Sequence, residues 1–119
     1  MSSQQVFDIY PVCQKFLLDF GYTQDGDRFT LQNEDGKTWF DFSSEVTVDS
    51  LNNLCYQVAE ILDGDEPQST KDNVLLFDQF ISSIQHLFKT PRDYNMLVNY
   101  KSLVNTRQEL KELKATISQ

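Results

Sequence analysis

The sequence predicts an α+β fold: an N-terminal helix, a β-hairpin that one further strand would make a three-stranded antiparallel sheet, and then three helices ending in a long C-terminal one. Three observations predict it. Residues 28–42 place two runs rich in β-branched and aromatic residues on either side of Asn33-Glu34-Asp35-Gly36, and Asp-Gly tolerates the positive φ of a tight hairpin loop. Nearly everything outside that stretch repeats its apolar residues at helical spacing. A chain of 119 residues, 39% hydrophobic and with 9 Phe, 5 Tyr and 1 Trp, has the size and side chains for one folded core. The expectation is a single acidic domain over residues 1–119, with residues 105–119 as a candidate helical extension.

In the first helix Val12, Cys13, Phe16, Leu17 and Phe20 share one face, and Gly21 follows as the cap residue. Pro11 belongs in the first turn, because deeper in a helix it would remove a hydrogen bond, so the helix starts between Asp8 and Pro11. Val6, Phe7 and Ile9 fit either an apolar lead-in or an extra turn kinked at the proline. Residues 21–27 read as a connection with a turn at Asp25-Gly26.

Along the hairpin, alternation assigns Phe29, Leu31, Phe40 and Phe42 to the core face and Arg28, Thr30, Gln32, Lys37, Trp39 and Asp41 to the outer face. Two registers satisfy this division. A four-residue loop pairs Gln32 with Lys37 and Phe29 with Phe40, whereas a two-residue Asp35-Gly36 loop pairs Phe29 with Phe42. A three-residue loop would mix apolar and polar partners on both faces. Glu45 to Val48 also alternates and is the candidate third strand.

Asp49 or Ser50 is the expected cap of the second helix, whose face is Leu51, Leu54, Cys55, Val58, Ile61 and Leu62, and Gly64 stops it. Residues 63–73 are polar, contain Pro67 and read as a loop, with Ser69 and Asp72 as a candidate early start for the third helix. That helix carries Val74, Leu75, Phe77, Phe80, Ile81, Ile84, Leu87 and Phe88. Thr90-Pro91-Arg92-Asp93 combines a cap, a proline in the first turn and an acid near the helix N-terminus. The helix it opens runs to about Thr116, roughly 40 Å at about 1.5 Å per residue, longer than a small domain is wide. Met96, Leu103, Leu110 and Ile117 repeat along it every seven residues, with Leu97, Tyr100, Val104 and Leu113 beside them. The three later helices are expected to pack mainly on the sheet's apolar face.

Charge divides the chain in two. Residues 1–86 hold 15 acidic and 4 basic side chains, whereas residues 87–119 hold 3 acidic and 6 basic, and the whole is −8. An acidic body argues against direct binding of nucleic acid, which needs clustered Lys and Arg against phosphates. No apolar run approaches the roughly 18 to 20 residues of a bilayer span, and Met1 to Gln5 lacks the pattern of a secretory signal, so no membrane role and a cytoplasmic location are expected. Cys13 and Cys55, far apart in sequence and each within an apolar helical pattern, read as small buried hydrophobes rather than a disulfide.

Catalytic chemistry finds little to stand on. The chain has one histidine, His86, flanked by core residues of the third helix, and no Ser or Cys motif that would use it as a base. Two isolated cysteines and one histidine do not make a zinc site. Asp25-Gly26-Asp27, Glu34-Asp35-Gly36 and Asp63-Gly64-Asp65-Glu66 suggest calcium, but placing each glycine sixth in an EF-hand loop puts Gly21, Leu31 or Ala59 first, where an acid is required. Turn formation accounts for Asp-Gly without a metal. No cofactor and no enzymatic activity are expected.

Three surfaces remain. Trp39, beside Arg28 on the outer face of the hairpin, is either covered by another element or an anchor for a partner. The C-terminal stripe is either internal core or a seam for a partner or a second copy, and its candidate contact residues are Tyr100, Leu103, Arg107, Leu110 and Leu113. The acidic surface, with Asp63, Asp65 and Glu66 as its candidate residues, is a solvated face or a mimic of a phosphate backbone. The expected function is a non-catalytic protein-interaction or regulatory module that binds a protein partner or itself through the C-terminal helix and the hairpin face. The alternative is an acidic inhibitor of a nucleic-acid enzyme, of the phage anti-defence kind.

Overall fold

The computed structural model describes residues 5–33, 36–64 and 67–117. Its helices are α1 (Tyr10–Phe20), α2 (Val48–Asp63), α3 (Lys71–Ile84) and α4 (Pro91–Ile117), and its strands are β1 (Thr23–Asp25), β2 (Arg28–Asn33) and β3 (Gly36–Asp41). The strands form an antiparallel sheet in the order β1-β2-β3, so the fold is the expected α+β arrangement with a three-stranded sheet.

Of the two registers that side-chain alternation allows, the structure takes one. Gln32 pairs with Lys37, Phe29 with Phe40 and Leu31 with Thr38, the first of the two expected pairings. Phe29, Leu31, Phe40 and Phe42 are buried, and Arg28, Gln32, Lys37, Trp39 and Asp41 are exposed. The third strand lies elsewhere than expected. Thr23 to Asp25 pairs with β2 through a two-residue turn at Gly26-Asp27, where Gly26 takes the φ of +63° that suits the first position of such a turn. Val46 makes a single antiparallel bridge to Phe7, with the Phe7 N–H donating to the Val46 carbonyl at 2.7 Å, and Val48 is already helical.

Helix ends follow local chemistry. α1 begins at Tyr10 with Pro11 in its first turn, and it closes on Gly21, whose N–H donates to the carbonyls of Leu17 and Leu18 and whose φ of +129° turns the chain so that the next N–H, of Tyr22, also reaches the Leu17 carbonyl. The cap of α2 is Thr47, not Asp49 or Ser50: the Thr47 hydroxyl accepts from the Ser50 N–H while the Ser50 hydroxyl accepts from the Thr47 N–H. Thr70 caps α3 by accepting from the Asn73 N–H, and Ser69 instead donates to the Leu62 carbonyl. Thr90 caps α4, accepting from the Asp93 N–H and donating to its carboxylate.

The core face of α2 is the expected one. In α3 the stripe is narrower than expected, since Leu75 is 55% exposed. After Ile84 the chain tightens into a 3-10 turn, Gln85–Leu87, where His86 is exposed rather than helical and set at the core edge.

Aromatic rings join the layers. Tyr10 of α1 stacks on Phe42, and Tyr22, just after α1, meets Phe40 edge-on and Phe20 in a stack. Phe16 then lies 4.3 Å, centroid to centroid, from Phe80 of α3. The sheet therefore reaches the helical layer through α1. The helices pack chiefly on one another, α4 on α2 and α3 and α3 on α1, so the expectation that α2, α3 and α4 pack mainly on the sheet does not hold. The result is elongated, 57 × 34 × 20 Å.

Candidate partner-binding surfaces

α4 presents two faces. Only Leu97 and Val104 are fully buried along its 27 residues, and with half-buried Tyr100 they pack it onto the body. Leu103, Leu110, Leu113 and Ile117 are 51%, 45%, 56% and 74% exposed. The seven-residue repeat of Leu103, Leu110 and Ile117 is therefore turned outward. At about 100° per residue these side chains, with Leu113, form one stripe.

Polar contacts hold the packed face in place. Arg107 Nε lies 2.7 Å from Asp63 Oδ1, Lys71 Nζ lies 2.7 Å from Glu112 Oε1, and Asn105 donates to Asp78 Oδ1 at 2.8 Å. Lys111 Nζ donates to the Gly64 carbonyl at 2.6 Å and to Ser69 Oγ at 2.7 Å. A cation at the C-terminal end of α2 also meets the negative end of that helix's dipole. One of these contacts, Arg107 with Asp63, joins the basic C-terminal segment to the acidic body. Arg107 and Asp63, placed on two separate candidate surfaces by sequence, form one ion pair. Asp65 and Glu66 lie outside the described residues.

Tyr100 borders a second feature. Its ring meets that of Tyr56 edge-on at 6.4 Å, and Tyr56, Ala59, Glu60, Asp63, Tyr100 and Leu103 line a shallow hollow of about 90 Å³. Hydrogen bonding to the Glu60 carboxylate and its charge raise the Tyr56 hydroxyl above its ordinary pKa, so it stays a neutral donor at the rim. This hollow continues the Leu103 end of the stripe. The i, i+4 spacing of Tyr56 from Glu60 is local to α2, whereas its place beside Tyr100, which the sequence does not mark, follows only from the packing of α2 on α4.

Against this chain, models of known protein families, curated proteins and solved structures give no match.

On the sheet, Trp39 is 52% exposed, and the cover on one face of its ring is Arg28, whose guanidinium carbon lies 3.7 Å from the ring centroid. Arg28 Nε also lies 3.2 Å from Asp41 Oδ1. Cross-strand pairing of Thr30 with Trp39 and Arg28 with Asp41 makes this grouping possible, since all four point outward. Asp25, Asp27, Arg28 and Asp41 line an open hollow of about 370 Å³ beside it. The structure thus brings Trp39, Arg28 and Asp41 together and leaves the indole accessible.

Reactive groups are muted. Cys13 and Cys55 are free and fully buried, and burial pushes the Cys13 thiol up to about 12 and that of Cys55 higher still. Such thiols carry almost no thiolate near neutral pH, which a nucleophile needs. Among the described residues, no three His, Cys, Asp or Glu side chains converge as a metal site would require, and no helix is long and apolar enough to cross a membrane.

Proposed function

We propose that the protein is a non-catalytic interaction module whose principal contact surface is the outward stripe of α4, with the Arg28–Trp39 face of the hairpin as a second contact. One observation carries the reading: α4 turns Leu103, Leu110, Leu113 and Ile117 to solvent on one line, each about half exposed or more. Scattered exposed leucines are ordinary, but an aligned set on one helix is the form in which an amphipathic helix presents itself to a groove or to another helix. Mounting supports it, because the other side of α4 is fastened by Leu97, Val104 and Lys111, so Leu103 and Leu110 lose little freedom on binding. At Trp39 the indole is already oriented by Arg28.

The test is contact mapping in the source cells. A photo-crosslinking amino acid at position 113 is expected to form protein adducts, and Leu103→Glu with Leu110→Glu is expected to abolish them while circular dichroism stays unchanged. Absent adducts, or adducts indifferent to the two glutamates, would overturn the reading.

A further inference from the structure

The exposed stripe of α4 has a heptad register. With Leu103 as position a, Leu110 and Ile117 are also a positions and Leu113 is a d position, so the four make one seam. Leu97, Val104 and Lys111, which hold α4 against the body, all fall at b. That is about 130° round the helix from the middle of the a/d seam. The body borders the e flank at Tyr100 and Arg107, through Tyr56 and Asp63, and leaves Leu103, Leu110, Leu113 and Ile117 about half exposed or more.

The flanks are of opposite sign. Arg107 and Lys114 occupy e and Glu109 occupies g. Arg107 is engaged by Asp63, whereas Lys114 and Glu109 take part in none of the ion pairs among the described residues. Residues 105–117 carry three basic and two acidic side chains, so the seam is close to neutral although the chain is −8.

We infer that the partner of this stripe is a second copy of the chain, in a parallel, two-fold symmetric pairing of α4 with α4; the inference rests on the interaction reading above. Charge complementarity decides the occupant and the orientation. In a parallel pair each g residue faces the e residue five positions further along the other helix, which sets Glu109 against Lys114 of the second copy, twice by symmetry. An antiparallel pair would set e against e and g against g, bringing like charges together. The four apolar side chains hide on the order of 400 Å² per copy, about half of what each partner buries in a standard stable complex. Association is accordingly weak and concentration-dependent.

Sedimentation equilibrium of the full chain between about 10 and about 500 µM is expected to show the mass rising from one copy toward two. Glu109→Lys or Lys114→Glu alone is expected to weaken association roughly fivefold or more, and the double exchange to restore it within about twofold. Thr106→Cys, at the intervening d position, is expected to give a disulfide-linked dimer on mild oxidation, because parallel pairing sets residue 106 against itself and the native cysteines are buried. A chain that stays monomeric throughout, single exchanges without effect, a double exchange that does not restore association, or no cross-link at 106 would each overturn the inference. If the chain is monomeric yet position 113 forms adducts with a different protein, the second copy is refuted and the interaction reading stands; if both fail, both fall.

Discussion

Two leucines six residues apart on α4 should respond very differently to the same substitution. Leu97 is fully buried and Leu103 is 51% exposed. Leu97→Ala removes three carbons from a closed site, about 2.4 kcal/mol at about 0.8 kcal/mol per methylene, before the residual cavity is counted. The expected loss is about 2.5–4 kcal/mol, which lowers the melting temperature of a chain this size by about 10–15 °C. Leu103→Ala removes the same atoms from a half-wet site, and alanine is the better helix former, so the expected loss is under about 1 kcal/mol. Urea denaturation followed by far-UV circular dichroism, at a few micromolar so that self-association contributes nothing, measures both. Equal losses would refute the assignment of faces. A larger loss at Leu103 would show that the Leu103–Leu110–Ile117 series is the packed one, and the proposed contact surface would vanish with it.

Alkaline pH should destabilise the fold, because burial holds Cys13, Cys55 and Tyr22 above their ordinary values of 9.0, 9.0 and 10.0. The unfolded chain loses these protons from about pH 9 while the folded chain keeps them, so stability falls as pH rises, by up to about 1.4 kcal/mol per pH unit for each group; a urea midpoint that is the same at about pH 8 and about pH 10.5 would contradict this. Lys111→Met keeps the aliphatic stem but removes the donors to the Gly64 carbonyl and Ser69. The expected cost is about 1–2 kcal/mol with faster amide exchange in the last turns of α4, and unchanged exchange there would show that the lysine does not fasten the helix.

The hairpin was legible because period-two alternation is a strong constraint: exchanging faces would have placed Arg28, Trp39 and Asp41 in the core and four apolar side chains in water. Glu45 to Val48 alternates too, yet it forms no strand. There a reciprocal pair of hydrogen bonds between Thr47 and Ser50 starts α2 in the middle of the alternating stretch. The true third strand was hidden because Thr23 to Asp25 is polar and only three residues long, with no apolar alternation to mark it. Gln24 secures it sideways: its side-chain amide donates to the Tyr10 hydroxyl and accepts from Gln14, contacts that no local pattern announces.

The candidate site was legible only in part, for a physical reason that lies in Lys111. Two seven-residue series compete on α4: Leu97, Val104, Lys111, and Met96, Leu103, Leu110, Ile117. Counted by hydropathy the second is the better core, since the first ends in a lysine. Yet a lysine stem is apolar, and its ammonium is satisfied wherever unpaired carbonyls gather. The C-terminal end of α2 supplies one in Gly64, with Ser69 beside it, so the lysine that spoils the first series in sequence is what anchors it in space. Once that face is taken by the body, Leu103, Leu110 and Ile117 of the wholly apolar series are left outside. The composition that makes it resemble a core is then the same composition that the proposed pairing with another helix would use, with Glu109 and Lys114 on its two flanks setting the direction of that pairing.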